Sequence, residues 1–332
     1  MLKADKLAEI KDYTSLAAEG ATLVVSENLK DYKAEDFENV LINTYLAMNY
    51  AMMGDFENAL VEAKRVNRKL YLMVNEGKRK YKQNAFARYL SAIIYEAEKN
   101  YNDAYVDYKK TRELEPNYHG LGQDLWRIAW FLGMPDEMER WDKEYQLKKE
   151  DHEKARNLDP KKKKSEIIVL YENGISPVKR PHPSWHSIPK FFPRANPVSY
   201  AKIEINGKDV GETRILHDIE STAIYNLDEK YAGILAKKIA GVVVKEVIAD
   251  QVARRTGSEL LGSLTSFALH VADQADIRSW NLLPKDLQLI RIVVDPGTYT
   301  IRALPYGSLS LPEKVIQINA GKKVFVGFRY MP

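Results

Sequence analysis

Residues 46–59 read Leu46-Ala47-Met48-Asn49-Tyr50-Ala51-Met52-Met53-Gly54-Asp55-Phe56-Glu57-Asn58-Ala59. Small residues and aromatics recur in this run at helical spacing, and a glycine divides it. On two antiparallel helices, small residues let the backbones approach and aromatic rings fill the remaining space. The run therefore predicts a helical hairpin with its turn at Gly54.

Two further copies of this pattern follow along the chain. The second ends with the triplet Ala104, Tyr108 and Pro116. The third is degenerate, starts about 34 residues after the second, and has Gly133 at its turn. A period near 34 residues is typical of tetratricopeptide repeats. We therefore predict a tetratricopeptide-like array over residues 1–150, with a helical bundle of coincidental spacing as the alternative.

The spacing between the first two copies is longer than the repeat. Ala59 and Ala104 lie about 45 positions apart, a distance that exceeds the usual period. We interpret residues 69–84 as an elongated second helix or a helix with a short kink. Residues 3–30 are predicted to add a helical pair at the start of the array.

Length and composition limit the class of protein. The chain has 332 residues, of which 45% are apolar and 29% charged, and this length suits two domains of about 100–200 residues. The absence of cysteine excludes disulfides, thiolate metal sites and a cysteine nucleophile. No run of about 18 apolar residues is free of charge, so we predict no transmembrane helix. Residues 1–6 turn polar at once, unlike a signal peptide; a leader removed from a mature chain is the alternative.

The two halves of the chain differ in charge. The total is +4, made of roughly −4 before residue 161 and +8 after it. The small total argues against a nucleic-acid binder, whereas the basic half favours an anionic surface or partner, or carries scattered solubilising lysines. Residues 151–165 include Lys161-Lys162-Lys163-Lys164. We predict a charged, solvated linker there and rank lipid contact or targeting second.

Residues 166–332 are predicted to form a β-rich domain. Strand patterns lie at residues 167–171, 200–205, 208–215, 288–294, 298–304, 314–318 and 322–328. The last four are predicted to form an antiparallel series with turns at Pro296-Gly297 and Ala320-Gly321. Residues 177–197 contain six prolines and predict an extended, irregular loop.

A helical insert interrupts the strands. Apolar residues recur at intervals of three and four from Leu227 to Arg255, and a second, small-residue-rich helix follows to residue 273. The predicted fold class is therefore α+β. It comprises a tetratricopeptide-like helical array followed by an antiparallel β-sandwich-like domain with a helical insert at 227–273.

Candidate binding residues follow from repeat position, because first helices of such repeats usually line a groove. The predicted partner-binding residues are Tyr89, Ile93, Glu96, Gln123, Arg127 and Trp130. A second candidate is the corner before the C-terminal strands, with Asp276, Arg278, Trp280 and Pro284. There we predict that Trp280 is largely buried and that Arg278 pairs with an acidic group such as Asp276. A structural corner is favoured over an interface, although exposed Trp and Arg suit one.

Signatures of catalysis are absent from the sequence: there is no phosphate-binding Walker loop, no dinucleotide fingerprint and no zinc-protease motif. His182 and His186 flank Trp185 in the proline-rich segment, and two histidines can join a zinc site, but a site needs three or four ligands. We therefore predict no catalytic residue, no metal and no cofactor.

The order of three motifs carries a resemblance. The motifs are Val169-Leu170-Tyr171-Glu172-Asn173-Gly174, Ala275-Asp276-Ile277-Arg278-Ser279-Trp280-Asn281-Leu282-Leu283-Pro284 and Asp295-Pro296-Gly297-Thr298-Tyr299-Thr300-Ile301. Together with the repeats, they resemble an uncharacterised family of Gram-negative envelope proteins, often lipoproteins, with a tetratricopeptide-like N-terminal part. The resemblance implies a periplasmic protein, attached to the outer membrane where a lipid anchor is present. This sequence departs from that pattern in having no cysteine to lipidate.

Three hypotheses follow. The first is a non-enzymatic adaptor or scaffold of the cell envelope that binds a protein partner through the repeat groove. The second is a structural subunit of a larger envelope assembly, with the helical insert as its oligomer surface. The third is a metal-dependent enzyme in which His182, Trp185 and His186 close over Asp276 and Arg278.

Overall fold

A computed structural model describes residues 2–7, 32, 34–75, 84–261, 263–264 and 274–332. Its contacts divide the chain into two units. The first unit comprises residues 1–39, 177–194 and 220–281; the second comprises 40–176, 195–219 and 282–332. Most of the predicted repeat region and most of the predicted β-rich domain therefore fall within one unit. The division between the two units does not coincide with the predicted domain boundary at 151–165. The fold class is α+β, as predicted.

Residues 2–7 are helical, and seven further α-helices are described between residues 36 and 156. They are α1 (Asp36–Met52), α2 (Phe56–Asn75), α3 (Ala85–Ala97), α4 (Tyr101–Leu114), α5 (Leu121–Phe131), α6 (Pro135–Tyr145) and α7 (Lys149–Arg156). From α2 to α6, each helix packs against the next in chain order. The predicted elongation of the second helix over residues 69–84 is confirmed for 69–75, since α2 has 20 residues and α4 has 14. Residues 76–83 of that prediction, and residues 8–31, lie outside the described part.

The three helix pairs share one turn. In each, a residue with positive φ lies two positions before the second helix: Gly54 (74°), Lys99 (61°) and Gly133 (69°). The residue after it donates its amide to a carbonyl five positions back: Asp55 to Tyr50 at 2.9 Å, Asn100 to Tyr95 at 2.9 Å and Met134 to Ala129 at 2.9 Å. This is the bonding of a Schellman-type helix end. The repeated turn supports the predicted array of helical hairpins.

Two four-stranded sheets lie in the same unit. Their strands are β1 (Ser165–Asn173), β4 (Ala201–Ile205), β5 (Lys208–Glu212), β6 (Arg214–Asp218), β7 (Asp286–Val294), β8 (Gly297–Pro305), β9 (Lys314–Ile318) and β10 (Lys323–Arg329). One sheet has the order β10-β1-β7-β6 and the other β5-β4-β8-β9. Side chains of both sheets, among them Val169, Ile203 and Ile301, form one buried core. The sheets therefore pack as a sandwich.

Strand β1 is buried on both faces. Ile167, Val169 and Tyr171 point into the sandwich core, and every one of its nine residues except Glu172 is buried. The intervening residues point towards the helices, where the Glu172 carboxylate accepts a hydrogen bond from Tyr45 of α1 at 2.5 Å. Burial on both faces explains why this strand reads as a nearly continuous apolar run.

The predicted C-terminal antiparallel series is wrong in its pairing. β8 and β9 do pair antiparallel, but β7 pairs with β1 and β6, and β10 pairs with β1 in parallel. The turns at Pro296-Gly297 and Ala320-Gly321 therefore carry the chain from one sheet to the other. In packed sheets, the chain can switch from one sheet to the other between consecutive strands. The prediction was wrong because the spacing of the strand patterns in the sequence favours simple hairpins.

The predicted charged linker is largely helical. Helix α7 occupies residues 149–156, and a 3-10 turn follows at Pro160–Lys162. Asp151 explains the helix: its carboxylate accepts the Lys148 amide at 2.9 Å and the Gln123 side-chain amide at 2.7 Å. The first bond caps the helix, and the second holds it to α5.

The first unit holds the proline-rich segment and the helical insert. Within 177–197 the predicted irregular loop contains a hairpin of β2 (Val178–Pro181) and β3 (Pro189–Phe192), because its prolines fall at strand ends, where no ladder donor is lost. The insert is helix α8 (Ile219–Thr256), which begins eight residues earlier than predicted. The predicted helix to residue 273 is helical at 259–261 and 263–264, and the rest lies outside the described residues.

No helix in the described part of the chain is long and apolar enough to cross a membrane. This agrees with the sequence prediction.

Gly122 allows a close approach between α5 and the end of α6. A Cβ at this position would lie 2.4 Å from Cγ of Tyr145, so we expect Gly122→Ala to lower the free energy of unfolding by about 1–3 kcal/mol. Gly233 in α8 is the control, because a Cβ there meets nothing within 4 Å and alanine is the better helix former. Urea unfolding should show Gly122→Ala destabilised and Gly233→Ala unchanged or stabilised. Equal stability of both variants would contradict the close packing.

Candidate functional site

Three charged residues lie on the helix-facing side of the first sheet. Glu166 on β1 is opposite Lys323 on β10, and Arg291 on β7 is opposite Ile168. They alternate with residues that point into the sandwich core, so the two-residue period of each strand brings all three to one face. A charged cluster on a face covered by helices requires partners, because an unpaired buried charge is costly.

Arg291 contacts carboxylates from three elements. Its guanidinium bonds to Glu166 on β1 at 2.6 and 2.9 Å, to Glu96 on α3 at 3.0 Å and to Asp124 on α5 at 2.9 Å. It also donates to the hydroxyl of Tyr108 at 2.6 Å. One side chain therefore links two repeat helices to the sheet.

The two other cations complete the network. Arg127 on α5 binds Glu96 in a bidentate pair at 3.0 and 2.9 Å and reaches Asp124 at 2.8 Å. Lys323 pairs with Glu166 and lies 3.4 Å from Glu96. Three cations thus face three carboxylates, and no side chain of the six is more than 9% exposed. We call these residues the charge network: Glu96, Asp124, Arg127, Glu166, Arg291 and Lys323.

Tyrosines supply further hydrogen bonds to the charge network. Tyr108 donates to Glu96 at 2.8 Å, and Tyr89 donates to Asp124. Burial, followed by the charge of Asp124, raises the pKa of the Tyr89 hydroxyl well above its ordinary value. These hydroxyls therefore stay protonated and act as donors.

The electrostatic balance keeps the carboxylates ionised. Burial by itself raises the pKa of Glu166, but Arg291 and Lys323 outweigh it and lower that pKa to about 2. Arg127, Lys323 and Arg291 likewise hold the pKa of Glu96 well below its ordinary value against the effect of burial. The pKa of Arg291 is raised, because Asp124 and Glu166 outweigh its own burial.

A cleft of about 690 Å³ opens over this network. Asp124, Arg127, Glu166 and Arg291 line it from the charge network. The remaining lining comes from α3, α5, α7, the loop before α5, the segment after α7, and strands β5 to β7, and includes Tyr89, Tyr118, His119, Gln123, Lys154, Leu158, Val210, Arg214, Ile290 and Val293. Its volume lies within the range of ligand sites in proteins. The cleft is our candidate functional site.

The six predicted groove residues differ in their burial and in whether they line the cleft. Tyr89, Ile93, Glu96 and Arg127 are buried, because the chain's own strands cover the faces of α3 and α5 that carry the charged pair. Tyr89, Gln123 and Arg127 line the cleft. Ile93 and Trp130 do not line it, and Trp130 stacks on Trp126 at 6.3 Å. Partner contact therefore remains a prediction for the three residues that line the cleft.

Sequence reasoning missed four residues of the network: Asp124, Glu166, Arg291 and Lys323. A signal was present, since Arg291 interrupts an apolar strand, with Ile290 and Ile292 on either side. Glu166 likewise precedes an apolar run. A charge at a position whose strand period points to a covered face indicates a buried partner. The identity of that partner depends on which strands and helices pack together, which the local sequence does not determine.

The predicted corner is partly as expected. The guanidinium of Arg278 pairs with Asp276 at 2.6 and 2.9 Å, and Asp276 also accepts the Arg278 amide at 3.0 Å. Trp280 is half-buried rather than largely buried, and its amide donates to Glu38 at 2.6 Å. Pro284 is buried in the second unit. The predicted ion pair is thus confirmed, whereas the predicted depth of the tryptophan is wrong: its backbone amide is held by Glu38, a bond that does not require the indole to be buried.

The histidines of the proline-rich segment lie near aromatic rings. His182 stacks on Trp185 with ring centroids 5.7 Å apart, and Trp185 stacks on Tyr231 at 6.2 Å. His186 is exposed. Among the described residues, no group of three or more histidine and carboxylate side chains could hold a metal ion. The enzyme hypothesis gains no support from this geometry.

Comparison with known proteins gives no assignment: no family model matches this chain, and no curated protein matches it significantly.

Removal of Arg291 should destabilise the second unit strongly. Arg291→Met keeps the bulk but leaves Glu96, Asp124 and Glu166 with less positive charge, and breaking a buried ion pair on one side costs about 3–5 kcal/mol. Arg302→Met is the control, because Arg302 pairs with Glu204 at a half-exposed site and should cost less than about 1 kcal/mol. Urea unfolding at pH 7 measures both. Similar costs for the two variants would contradict a compensated buried network.

Acid should weaken the same unit through Glu166. Its pKa falls from 4.5 to about 2 on folding, so its stabilisation is complete above pH 4.5 and is lost as the pH falls towards 2. Urea unfolding between pH 7 and pH 3 should show a loss of about 2 kcal/mol from this group, because at pH 3 the folded-state carboxyl is still ionised. Glu166→Gln should be less stable at pH 7 and lose less stability with acid, whereas Glu204→Gln should follow the parent. A parent-like acid response in Glu166→Gln would count against ionised Glu166.

Proposed function

We propose that this chain is a non-enzymatic binding protein, an adaptor or scaffold, whose cleft receives an extended segment of a partner protein. The observation that carries the proposal is the cleft of about 690 Å³ bordered by repeat helices on one side and by an edge strand on the other. Repeat arrays and sheet edges are both surfaces that proteins use to bind extended peptides.

The lining suits a peptide. Apolar side chains such as Leu158, Val210 and Ile290 lie beside charges of both signs, including Lys154 and Glu212. A peptide offers the same mixture, with alternate side chains for pockets and a backbone for hydrogen bonds. A lining of this kind favours a peptide over a purely apolar ligand.

Strand β5 adds a backbone surface. It is the end strand of its sheet and pairs with β4 alone, and Val210 on it is 37% exposed. An edge strand can accept a further strand through main-chain hydrogen bonds. We propose that the partner segment lies along β5 with its side chains directed towards Gln123 and Lys154.

The base of the cleft is already organised. Asp124, Arg127 and Arg291 are held by ion pairs within the charge network, so a ligand need not order them on binding. Preorganised groups reduce the entropic cost of association. Because the cleft is small, we expect micromolar affinity for a single segment.

The proposals on compartment and assembly state do not rest on the cleft. The envelope location rests on the sequence motifs of residues 169–174, 275–284 and 295–301 alone. Fractionation of cells that produce the full reading frame tests it directly. The alternative of a structural subunit predicts defined oligomers of the purified chain at micromolar concentration, which mass photometry would detect.

A tryptophan in the cleft should block peptide binding. A displayed peptide library is selected against the parent protein, and affinities of selected peptides are measured by fluorescence anisotropy. Val210→Trp places bulk in the cleft and should weaken binding at least tenfold. Val315→Trp is the control, because Val315 is exposed on β9, the opposite edge of the same sheet, and should bind like the parent. Failure to select any peptide, or equal binding by both variants, would overturn the proposal.

A further inference from the structure

A second, smaller cavity of about 380 Å³ is lined by lysines. Lys99, Lys163, Lys164, Lys322 and Lys323 all contribute to its wall, together with Tyr101 and the backbone turn at Ala320 and Gly321. The only acidic residues in that lining are Glu96 and Glu166. Five lysines against two glutamates give the wall a formal net charge of +3.

Three turns bring these lysines together from distant parts of the sequence. Lys99 is the positive-φ residue between α3 and α4, and Lys163 has φ of 54° after the 3-10 turn. Lys322 lies between β9 and β10, with its amide bonded to the Asn319 carbonyl at 3.2 Å and its carbonyl to the Glu166 amide at 3.0 Å. Of the lysine run at 161–164, Lys163 and Lys164 therefore belong to the wall of this cavity, whereas Lys161 and Lys162 are exposed outside it.

The acidic residues of the wall are already neutralised. Glu96 and Glu166 bind Arg127, Arg291 and Lys323 within the charge network. Lys164 pairs with Asp295 at 2.6 Å. In the described part of the chain, Lys99, Lys163 and Lys322 have no acidic partner within ion-pair distance. Three exposed lysines that line the cavity thus lack counter-charges.

We propose that this cavity binds a phosphate- or pyrophosphate-bearing ligand, independently of the peptide cleft. A phosphoryl group carries a charge of about −1.5 to −2 and three acceptor oxygens, which matches three unpaired ammonium groups better than a single carboxylate does. Lysine is a common phosphate ligand that acts as a point charge. The cavity has room for more than the phosphate, since ligand sites begin near 300 Å³.

The source of the phosphate is either a soluble compound or a lipid headgroup, and both present the same chemistry to the lysines. Pyrophosphate tests the first and vesicles of phosphatidic acid in phosphatidylcholine test the second. Calorimetry measures pyrophosphate binding and co-sedimentation measures vesicle binding, both at about 0.15 M salt so that long-range attraction is screened.

The decisive experiment compares two double variants that have the same net charge. Lys99→Gln/Lys322→Gln removes two unpaired lysines from the cavity, whereas Lys149→Gln/Lys208→Gln removes two exposed lysines that do not line it. We expect the first double variant to bind pyrophosphate at least tenfold more weakly and the second to bind like the parent. Circular dichroism establishes that both are folded. Lys163→Glu is a second probe, and it should abolish binding.

Each outcome decides the question. Loss of pyrophosphate binding in the cavity variant alone supports a site for soluble phosphates, and the same pattern with vesicles alone supports a headgroup site. Equal weakening of both double variants means unspecific surface attraction and overturns the proposal, as does absence of binding to both probes. Val210→Trp should bind either probe like the parent, so failure of the peptide cleft is distinguishable from failure of this site.

Discussion

A buried guanidinium imposes the main constraint on the second unit. Arg291 lies beneath the repeat helices, where an uncompensated charge would cost several kcal/mol, and its carboxylate partners come from β1, α3 and α5. Apolar contacts tolerate small shifts between layers, whereas bonds of 2.6–3.0 Å do not. The helices can therefore dock on the sheet in one register only. Our hypothesis is that this buried network contributes more to the specificity of docking than to net stability.

Both cavities depend on that docking. The cleft and the lysine-lined cavity share Leu158 and Glu166 in their walls, so the charge network forms the base of each. Because its own charges are mutually satisfied, we propose that the residues around it bind other molecules. The proposed peptide cleft has a mixed lining and an edge strand, whereas the smaller cavity is lined by unpaired lysines. One rigid base thus serves two surfaces of different character.

The sequence predicted the elements better than their partners. Helical hairpins follow from local signals such as Gly54 and Gly133, whose positive φ the turn requires, and α2 was expected to be long. Strand pairing depends on contacts far apart in the chain: the parallel pairing of β10 with β1 joins residues some 150 positions apart, and no local signal encodes it. The same reason hid Arg291 and Lys323 from the predicted site, although their strand positions were recognised.

The array of helical hairpins differs in one physical respect from repeat arrays that present an open groove. The residues expected to line that groove include Glu96 and Arg127, and these bind each other and the chain's own strands. Internal ion pairs already satisfy these groups, so they give a partner a preorganised base but few unpaired charges to bind. The residues that we propose to bind ligands therefore lie at the margins of the helix–sheet contact. Gln123 and Lys154 line the cleft on one side, and Lys99 and Lys322 line the smaller cavity on the other. The position of both proposed sites follows from this arrangement.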